Sequence, residues 1–406
     1  MDSLTQMVLG AACGELVAGR KIGNKALVWG AIGGTIPDLD VLSNLFLNPL
    51  DALAFHRGPM HSLLFATIAP FGLAYLVKSL DESKASKSKW FHSLGFGLGL
   101  VSGMALTAIV CLILSFILSW TAVPFIVLIG VGFFFFAKRN YKYHFKEAGS
   151  TDNMSYWSWF FLFFISIITH PILDNFTTFG TQLFWPFTDH RFSLSNIAIV
   201  DPLYTIPFLS CVILVSLYHR ENRIRFWINL FGISISSFYM IYTFGNKAKA
   251  ERAFANSLQP YGVQVDRMLS TPTILNNFLW FCIGQKGNQY YCGYYSVFDK
   301  QEKLDSLIVL DHQNNLLTKY GNNKISQVLP WFSNQYYSTM QIAPDTIQYN
   351  DLRYGTFNFQ FGKPEDYIFH FKLKENNGQL DLLPQNERPK QSRRDLEKFW
   401  ERIKGI

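Results

Sequence analysis

The first 245 residues are dominated by apolar runs, at 62–78, 94–118, 120–137, 157–173, 203–218 and 226–244, which carry almost no charged side chains. Uninterrupted hydrophobicity over roughly 20 residues predicts helices that cross a bilayer. Two further runs, 4–18 and 26–42, are rich in Gly and Ala and are broken by Glu15 and by Pro37, Asp38 and Asp40. Such segments need protein neighbours to be tolerated in lipid. The pattern therefore predicts a polytopic α-helical membrane domain of about eight helices over residues 1–245. The opening MDSLTQ is acidic and polar, so no cleavable leader is expected.

After Phe244 the pattern changes. GNKAKAERAFANSLQP reads as a polar helix leaving the membrane, and FLWFCIG, YYCGYYSVFD, DSLIVLD, TIQYNDLRYG, FNFQFG and YIFHFKL then follow, separated by turns such as QKGN and DHQNN. Period-two alternation rich in aromatic and β-branched residues predicts strands. Residues 246–406 are expected to form a small soluble α+β domain, β-rich and closed by a charged amphipathic helix in KQSRRDLEKFWERIKGI whose polar face is solvated.

Composition supports a membrane protein: only 16% of residues are charged and 17% are aromatic, against roughly 25% charged in soluble domains. The net charge of +7 has a topological explanation. All Lys and Arg of residues 1–245 except Arg57 and Arg191 fall in four clusters, around 20–25, 78–89, 138–146 and 220–225. Basic residues concentrate on the cytoplasmic side of bilayer proteins. With eight helices these clusters share that side, which places residues 246–406 outside the cytoplasm and leaves no reason to invoke nucleic acid. Cys282 and Cys292 would then meet an oxidising compartment, where they can pair if their Cα atoms approach closely enough.

The opposite helix ends collect Asp2, Asp38, Asp40, Asp51, Asp174, Asp189 and Asp201 with His56, His61, His170 and His190. Ionisable residues gathered at one face of a membrane domain mark a functional site. GGTIPDLD at 33–40 has Pro37 to interrupt a helix, so that Asp38 and Asp40 can aim two carboxylates at one ion. FHRGPMHSLL at 55–64 brings His56 and His61 around a Gly-Pro turn, and THPILDNFTTFGTQLFWPF at 169–187 spaces His170 and Asp174 four apart, on one helical face if the helix persists past Pro171. Each fragment alone also fits a turn, an interfacial His or an Asp–imidazole pair. Together Asp38, Asp40, His56, His61, His170 and Asp174 form a thiolate-free nitrogen and oxygen set suited to a divalent metal, zinc first, with manganese or iron as alternatives. Six ligands exceed one tetrahedral shell, so two ions are compatible with the set. No Walker A, HExxH or GxSxG motif competes. Glu15 reads as a further ligand or as a helix-packing carboxylate.

The opening DSLTQMVLGAACGE, then PDLD, HRGPMHS, HPILDNFTTFG, PFTDHRFSL and IVDP, resemble in this order the YdjM-type family of membrane-bound metal-dependent hydrolases. The resemblance covers roughly residues 1–245 and implies an inner-membrane location and hydrolase activity. It carries family roles onto Asp38, Asp40, His56, Arg57, His61, Ser62, His170, Asp174, Thr177, Arg191 and Asp201. One position departs: many relatives have His where this chain has Gln6, a poor transition-metal ligand.

The mechanism expected is metal-activated water attacking a phosphoester or ester of a lipid or lipid-linked substrate at the outer face. Asp201 or Asp40 would act as general base, and Arg57 and Arg191 would hold the anionic group. A non-catalytic membrane binding or regulatory protein that keeps the metal fold is the alternative. A transporter would spread its ionisable groups along a path through the bilayer, whereas here they cluster at one end.

Overall fold

The computed structural model describes residues 1–83, 154–311, 315–321, 323–376, 378–383 and 393–405. The runs read at 94–118 and 120–137 lie outside them.

The first two helices, α1 (Ser3–Ile22) and α2 (Asn24–Thr35), form a hairpin. Their contact is made by glycine. A Cβ at Gly10 would overlap the Gly30 carbonyl, one at Gly14 the Ala26 carbonyl, and one at Gly34 the Gln6 carbonyl. Small residues every fourth position let backbones approach in this way. Around the hairpin stand α4 (Leu63–Glu82), α5 (Tyr156–Asp174), α6 (Pro202–Ser216) and α7 (Arg223–Leu258), with α1 touching α5, α6 and α7. A short helix, α3 (Pro49–Phe55), precedes the HRGPMH turn.

Eight crossing helices are not supported. Among the described residues, three helices are long and apolar enough to span a membrane: α4, α5 and α7 with its extension to Tyr261. The other runs among the described residues fall short for physical reasons. α2 has 12 residues and α6 has 15, or about 18 and 22 Å at 1.5 Å per residue, against a hydrocarbon core of roughly 30 Å. α1 buries Gln6 and Glu15 against its neighbours instead of facing lipid.

The described helices nevertheless alternate in direction, so the basic residues at 20–25, Lys78 and those at 220–225 meet at one end of the bundle. There Arg225 holds Glu15 bidentately, Nε to Oε1 at 2.7 Å and Nη2 to Oε2 at 2.5 Å, which makes Glu15 a packing carboxylate. Lys25 pairs with Asp81 at 3.6 Å, and Arg220 donates to the Lys21 carbonyl. The His and Asp motifs lie at the other end.

The polar helix read after Phe244 is continuous with α7, whose far end packs Ala250, Ala253, Phe254 and Leu258 against Trp280, Cys282 and Tyr295. Two four-stranded antiparallel sheets follow. The first holds β1 (Arg267–Pro272), β2 (Leu279–Lys286), β3 (Gln289–Ser296) and β4 (Ile308–Asp311); the second holds β5 (Tyr337–Ala343), β6 (Thr346–Asp351), β7 (His370–Asn376) and β8 (Gln379–Leu382). FNFQFG is not a strand; it is a bent segment with Phe359 and Gly362 at positive φ. Helices α8 (Asn315–Thr318) and α9 (Lys324–Phe332) join the sheets. The closing α10 (Arg393–Ile403) buries Ile403 in the first sheet's core and leaves Trp400 exposed.

Cys282 and Cys292 are free. In the β2–β3 register Cys282 faces Gly293 and Cys292 faces Ile283. That one-residue offset sends the two thiols to opposite faces of the sheet, one into the α7 side and the other into the core shared with Tyr336 and Tyr367.

The C-terminal domain sits on the His and Asp end of the bundle. Leu50 of α3 is buried in the core of the second sheet beside Leu329 and Phe332, and Asn277 Nδ2 donates to the Asn196 carbonyl at 2.7 Å.

The glycine contact is open to test. Gly14→Leu is expected to cost about 3 kcal/mol or more, because a side chain there must push backbone apart. Gly72→Ala in α4, where nothing lies within 4 Å, is expected to be neutral or to stabilise by about 0.5–1 kcal/mol. Denaturant titration in detergent micelles measures both.

Candidate metal centre

Three backbone devices bring the motifs together. Pro37 opens a 3-10 segment, Ile36–Leu45, at the end of α2. Three residues per turn make positions two apart diverge, so Asp38 and Asp40 point to different neighbours. Gly58, Pro59 and the short turn Pro59–His61 deliver His61 to the start of α4, where Ser62 caps the helix through Phe65 N at 3.1 Å. The helix α5 does persist past Pro171, so His170 and Asp174 share a face.

Asp38, His61 and His170 each offer one ligand atom, and all three atoms lie within 4.8 Å of one another. His170 Nε2 is 3.1 Å from His61 Nε2 and 3.4 Å from Asp38 Oδ1, and His61 Nε2 is 3.7 Å from Asp38 Oδ1. Asp174 Oδ2 adds a fourth atom, 3.4 Å from His61 Nε2 and 3.6 Å from His170 Nε2. Ligands about 2.0–2.1 Å from a tetrahedral ion stand roughly 3.3 Å apart, so these spacings fit.

The outer partners fit as well. His170 Nδ1 meets the Gly34 carbonyl at 2.5 Å, which assigns it the proton and turns the Nε2 lone pair to the centre. His61 Nδ1 lies 3.2 Å from Asp40 Oδ2. Asp174 Oδ1 is held by Gln6 Nε2 at 2.9 Å and by the Met1 amino group. Asp174 Oδ2, fully buried, forms an ion pair with Arg57 Nε at 3.1 Å. Arg57 and the Met1 amino group balance the Asp174 charge on its outer side, while the carboxylate and imidazole atoms that converge on the centre itself are costly to bury together without a cation among them. The donor set therefore fits a divalent metal ion.

Electrostatics point the same way. Burial alone would lower the His61 pKa, but Asp174, Asp38 and Asp40 outweigh it and raise it to about 10. Burial would raise Asp38, yet hydrogen bonds with His170 and His61 hold it well below the ordinary carboxylate range. Asp40 is likewise lowered against its burial, by His56 and His61.

Asp40 and His56 stand one step back from the three-residue cluster. Asp40 receives the Arg57 amide at 2.8 Å and pairs with His56 Nδ1 at 2.9 Å. Arg57 reaches that amide geometry at a positive φ of 56°, a conformation that costs a non-glycine residue about 1 kcal/mol or more. Its side chain lies 3.1 Å from Asp174 through Nε and donates to Thr177 Oγ1 at 3.0 Å. Arg191 donates to the backbone carbonyls of Leu53 and His56 at 3.2 and 2.8 Å. Asp201 caps α6, accepting from Leu203 N at 3.0 Å, Tyr204 N at 3.3 Å and Tyr239 Oη at 2.9 Å; burial raises its pKa. Sequence reasoning did not foresee Gly34, whose carbonyl orients His170; the only signal was its place in the GGT run before PDLD.

The chain belongs to the YdjM inner membrane protein family, whose model matches residues 1–248. No curated protein and no solved structure matches it.

Two measurements follow from this geometry. His61→Ala is expected to abolish metal binding by the purified protein in elemental analysis, whereas His56→Ala keeps near-stoichiometric metal and Asp40→Asn weakens it about 10–100-fold. In calorimetry, metal uptake near pH 7 is expected to release a proton. His61 holds that proton below its pKa of about 10, so apparent affinity rises with pH; affinity independent of pH between 6 and 8 contradicts the ligand role.

Proposed function

We propose that this protein is a membrane metal-dependent hydrolase that cleaves a phosphoester or ester bond of a lipid or lipid-linked substrate. The observation that carries the reading is the convergence of Asp38, His61 and His170, with Asp174 Oδ2 beside the two imidazoles, in a site at one end of a membrane bundle. Asp38, His61, His170 and Asp174 would hold the ion. Zinc is the first candidate for this nitrogen and oxygen set, with manganese or iron next. Such an ion, when bound, supplies Lewis acidity and makes water acidic enough to react near neutral pH.

The chain's own residues supply the rest. Asp40 orients His61 and His56. The His56 ring, about a third exposed at 35%, presents its far edge as the proton acceptor for an attacking water. The base assigned to either Asp40 or Asp201 thus falls to Asp40 acting through His56, because the oxygens of Asp201 are committed to capping α6. Arg57 positions Asp174, which leaves Arg191 as the residue that meets an anionic group.

A lipid substrate is supported by what surrounds Asp38, whose side chain is 21% exposed. Along the segment that carries it, Leu45 and Phe46 expose 73% and 86% of their surface, and Leu39, Val41 and Leu42 are also exposed. Apolar side chains at the mouth of a polar site favour an amphiphile over a freely diffusing solute. The four basic clusters suggest that this mouth and the C-terminal domain face away from the cytoplasm, at the inner membrane.

The test is turnover by the detergent-purified protein, loaded in turn with zinc, manganese and iron, on short-chain phosphatidic acid, lysophospholipid and lipid diphosphate. Release of headgroup or phosphate is expected, lost by at least about 10²-fold in Asp38→Ala. Stoichiometric metal without turnover on any of these substrates would favour the binding or regulatory reading, in which Gln6 replaces a ligand and the fold keeps only the site.

A further inference from the structure

Where α7 leaves the bundle, its surface changes over a few residues. Phe238, Ile241, Tyr242 and Phe244 are exposed, and polar and charged residues then begin with Asn246 and Lys247. The lipid-compatible surface of α7 therefore ends at the level of Asn246. Further out, by about 9 Å at 1.5 Å per residue, the exposed Arg252 pairs with the exposed Glu302 at 3.4 Å, as suits side chains in water.

The turn between β1 and β2 is fastened at that boundary. Asn246 Nδ2 donates to the Asn277 carbonyl at 3.0 Å and to its Oδ1 at 3.1 Å, and Asn277 Nδ2 donates to the Asn196 carbonyl. The turn is arranged the opposite way from one that faces water. Its polar residues Thr273, Asn276 and Asn277 are buried, whereas Ile274 and Leu275 are exposed, Leu275 by 56%. Leu275 does so at a φ of 62°, a conformation in which Gly or Asn is usual.

The turn also satisfies its own backbone. Asn276 Nδ2 donates to the Ile274 carbonyl at 2.9 Å, Asn276 Oδ1 accepts from the amides of Phe278 and Leu279, and Thr273 N donates to the Leu279 carbonyl. Chain that enters lipid needs its backbone groups paired within protein and its apolar side chains outward. Phe298, also exposed, widens the patch, its ring 5.1 Å from that of Phe278.

We propose that the β1–β2 turn, through Ile274 and Leu275 with Phe298 beside it, dips into the headgroup–acyl boundary of the adjoining leaflet, so that the C-terminal domain rests on the bilayer. The occupant is lipid because the patch continues the exposed apolar surface of α7 at the level where that surface ends. Two aliphatic side chains at the tip of a tight turn reach the upper part of an acyl layer, about 5–10 Å below the headgroups, and no deeper. With α7 on one side and this turn on the other, the first sheet has two attachments to the membrane, which fix the height of the domain above the metal centre. The inference rests on the membrane location and not on the hydrolase reading.

The experiment uses the full-length protein in phosphatidylcholine nanodiscs, with an environment-sensitive fluorophore attached through Leu275→Cys, Phe298→Cys or Asn288→Cys. A Cys111→Ser background suffices, because Cys13, Cys211, Cys282 and Cys292 are buried. Asn288 is exposed in the β2–β3 turn at the other end of the hairpin, about 27 Å away along β2. A lipid carrying a nitroxide near the top of its acyl chain is expected to quench the Leu275→Cys label at least about threefold more than the Asn288→Cys label, with the Phe298→Cys label between them. Aqueous iodide is expected to give the reverse order. Equal lipid quenching at the Leu275 and Asn288 positions, or equal access of iodide to both, overturns the proposal. Protection of the Leu275→Cys label from both quenchers, as a second copy or another segment of the chain seated on the turn would give, overturns it too. All three positions are exposed, so the labels leave the packed core intact.

Discussion

Two imidazoles and two carboxylates turn lone pairs toward one buried point, and that arrangement needs a positive charge among them. Everything nearby is built to keep the groups there. The glycine faces of α1 and α2 bring the end of α2 close enough for the Gly34 carbonyl to fix the His170 tautomer. Gln6, one helix away, holds the other oxygen of Asp174. A proton on His61 balances part of the charge without metal, and a divalent ion would balance more of it.

The same economy accounts for the helices that do not span. A helix that carries the site's supporting residues cannot also be apolar over its whole length. Thus α1 contains Gln6, and α2 ends early so that the 3-10 segment can present Asp38. Spanning is left to α4, α5 and α7 among the described residues. Of these, α5 brings two of the four ligand candidates at its last turn, and α7 continues past the bundle to anchor the first sheet. The C-terminal domain is therefore held at the site's end by a rigid helix as well as by Leu50 and Asn277.

Much of this was legible in the sequence because it rests on local chemistry. Ionisable residues in apolar surroundings are conspicuous, and the His170–Asp174 spacing encodes a shared helical face. The division of labour between Asp38 and Asp40 was not legible, since PDLD reads equally well as a turn presenting both and only the 3-10 geometry separates them. Among the described residues, the helix count differs because hydropathy does not fix helix length: α2 and α6 stop at 12 and 15 residues. The Cys282–Cys292 relation turned on a one-residue register that strand patterns do not specify. Arg57 looked free for substrate because nothing in the sequence announces that it sits beside Asp174.

The most direct test of the central claim is X-ray absorption spectroscopy of the metal-loaded, full-length protein. The account predicts a first shell of nitrogen and oxygen only, with two imidazoles per ion. A shell containing sulfur, or one with no imidazole scattering, would contradict it.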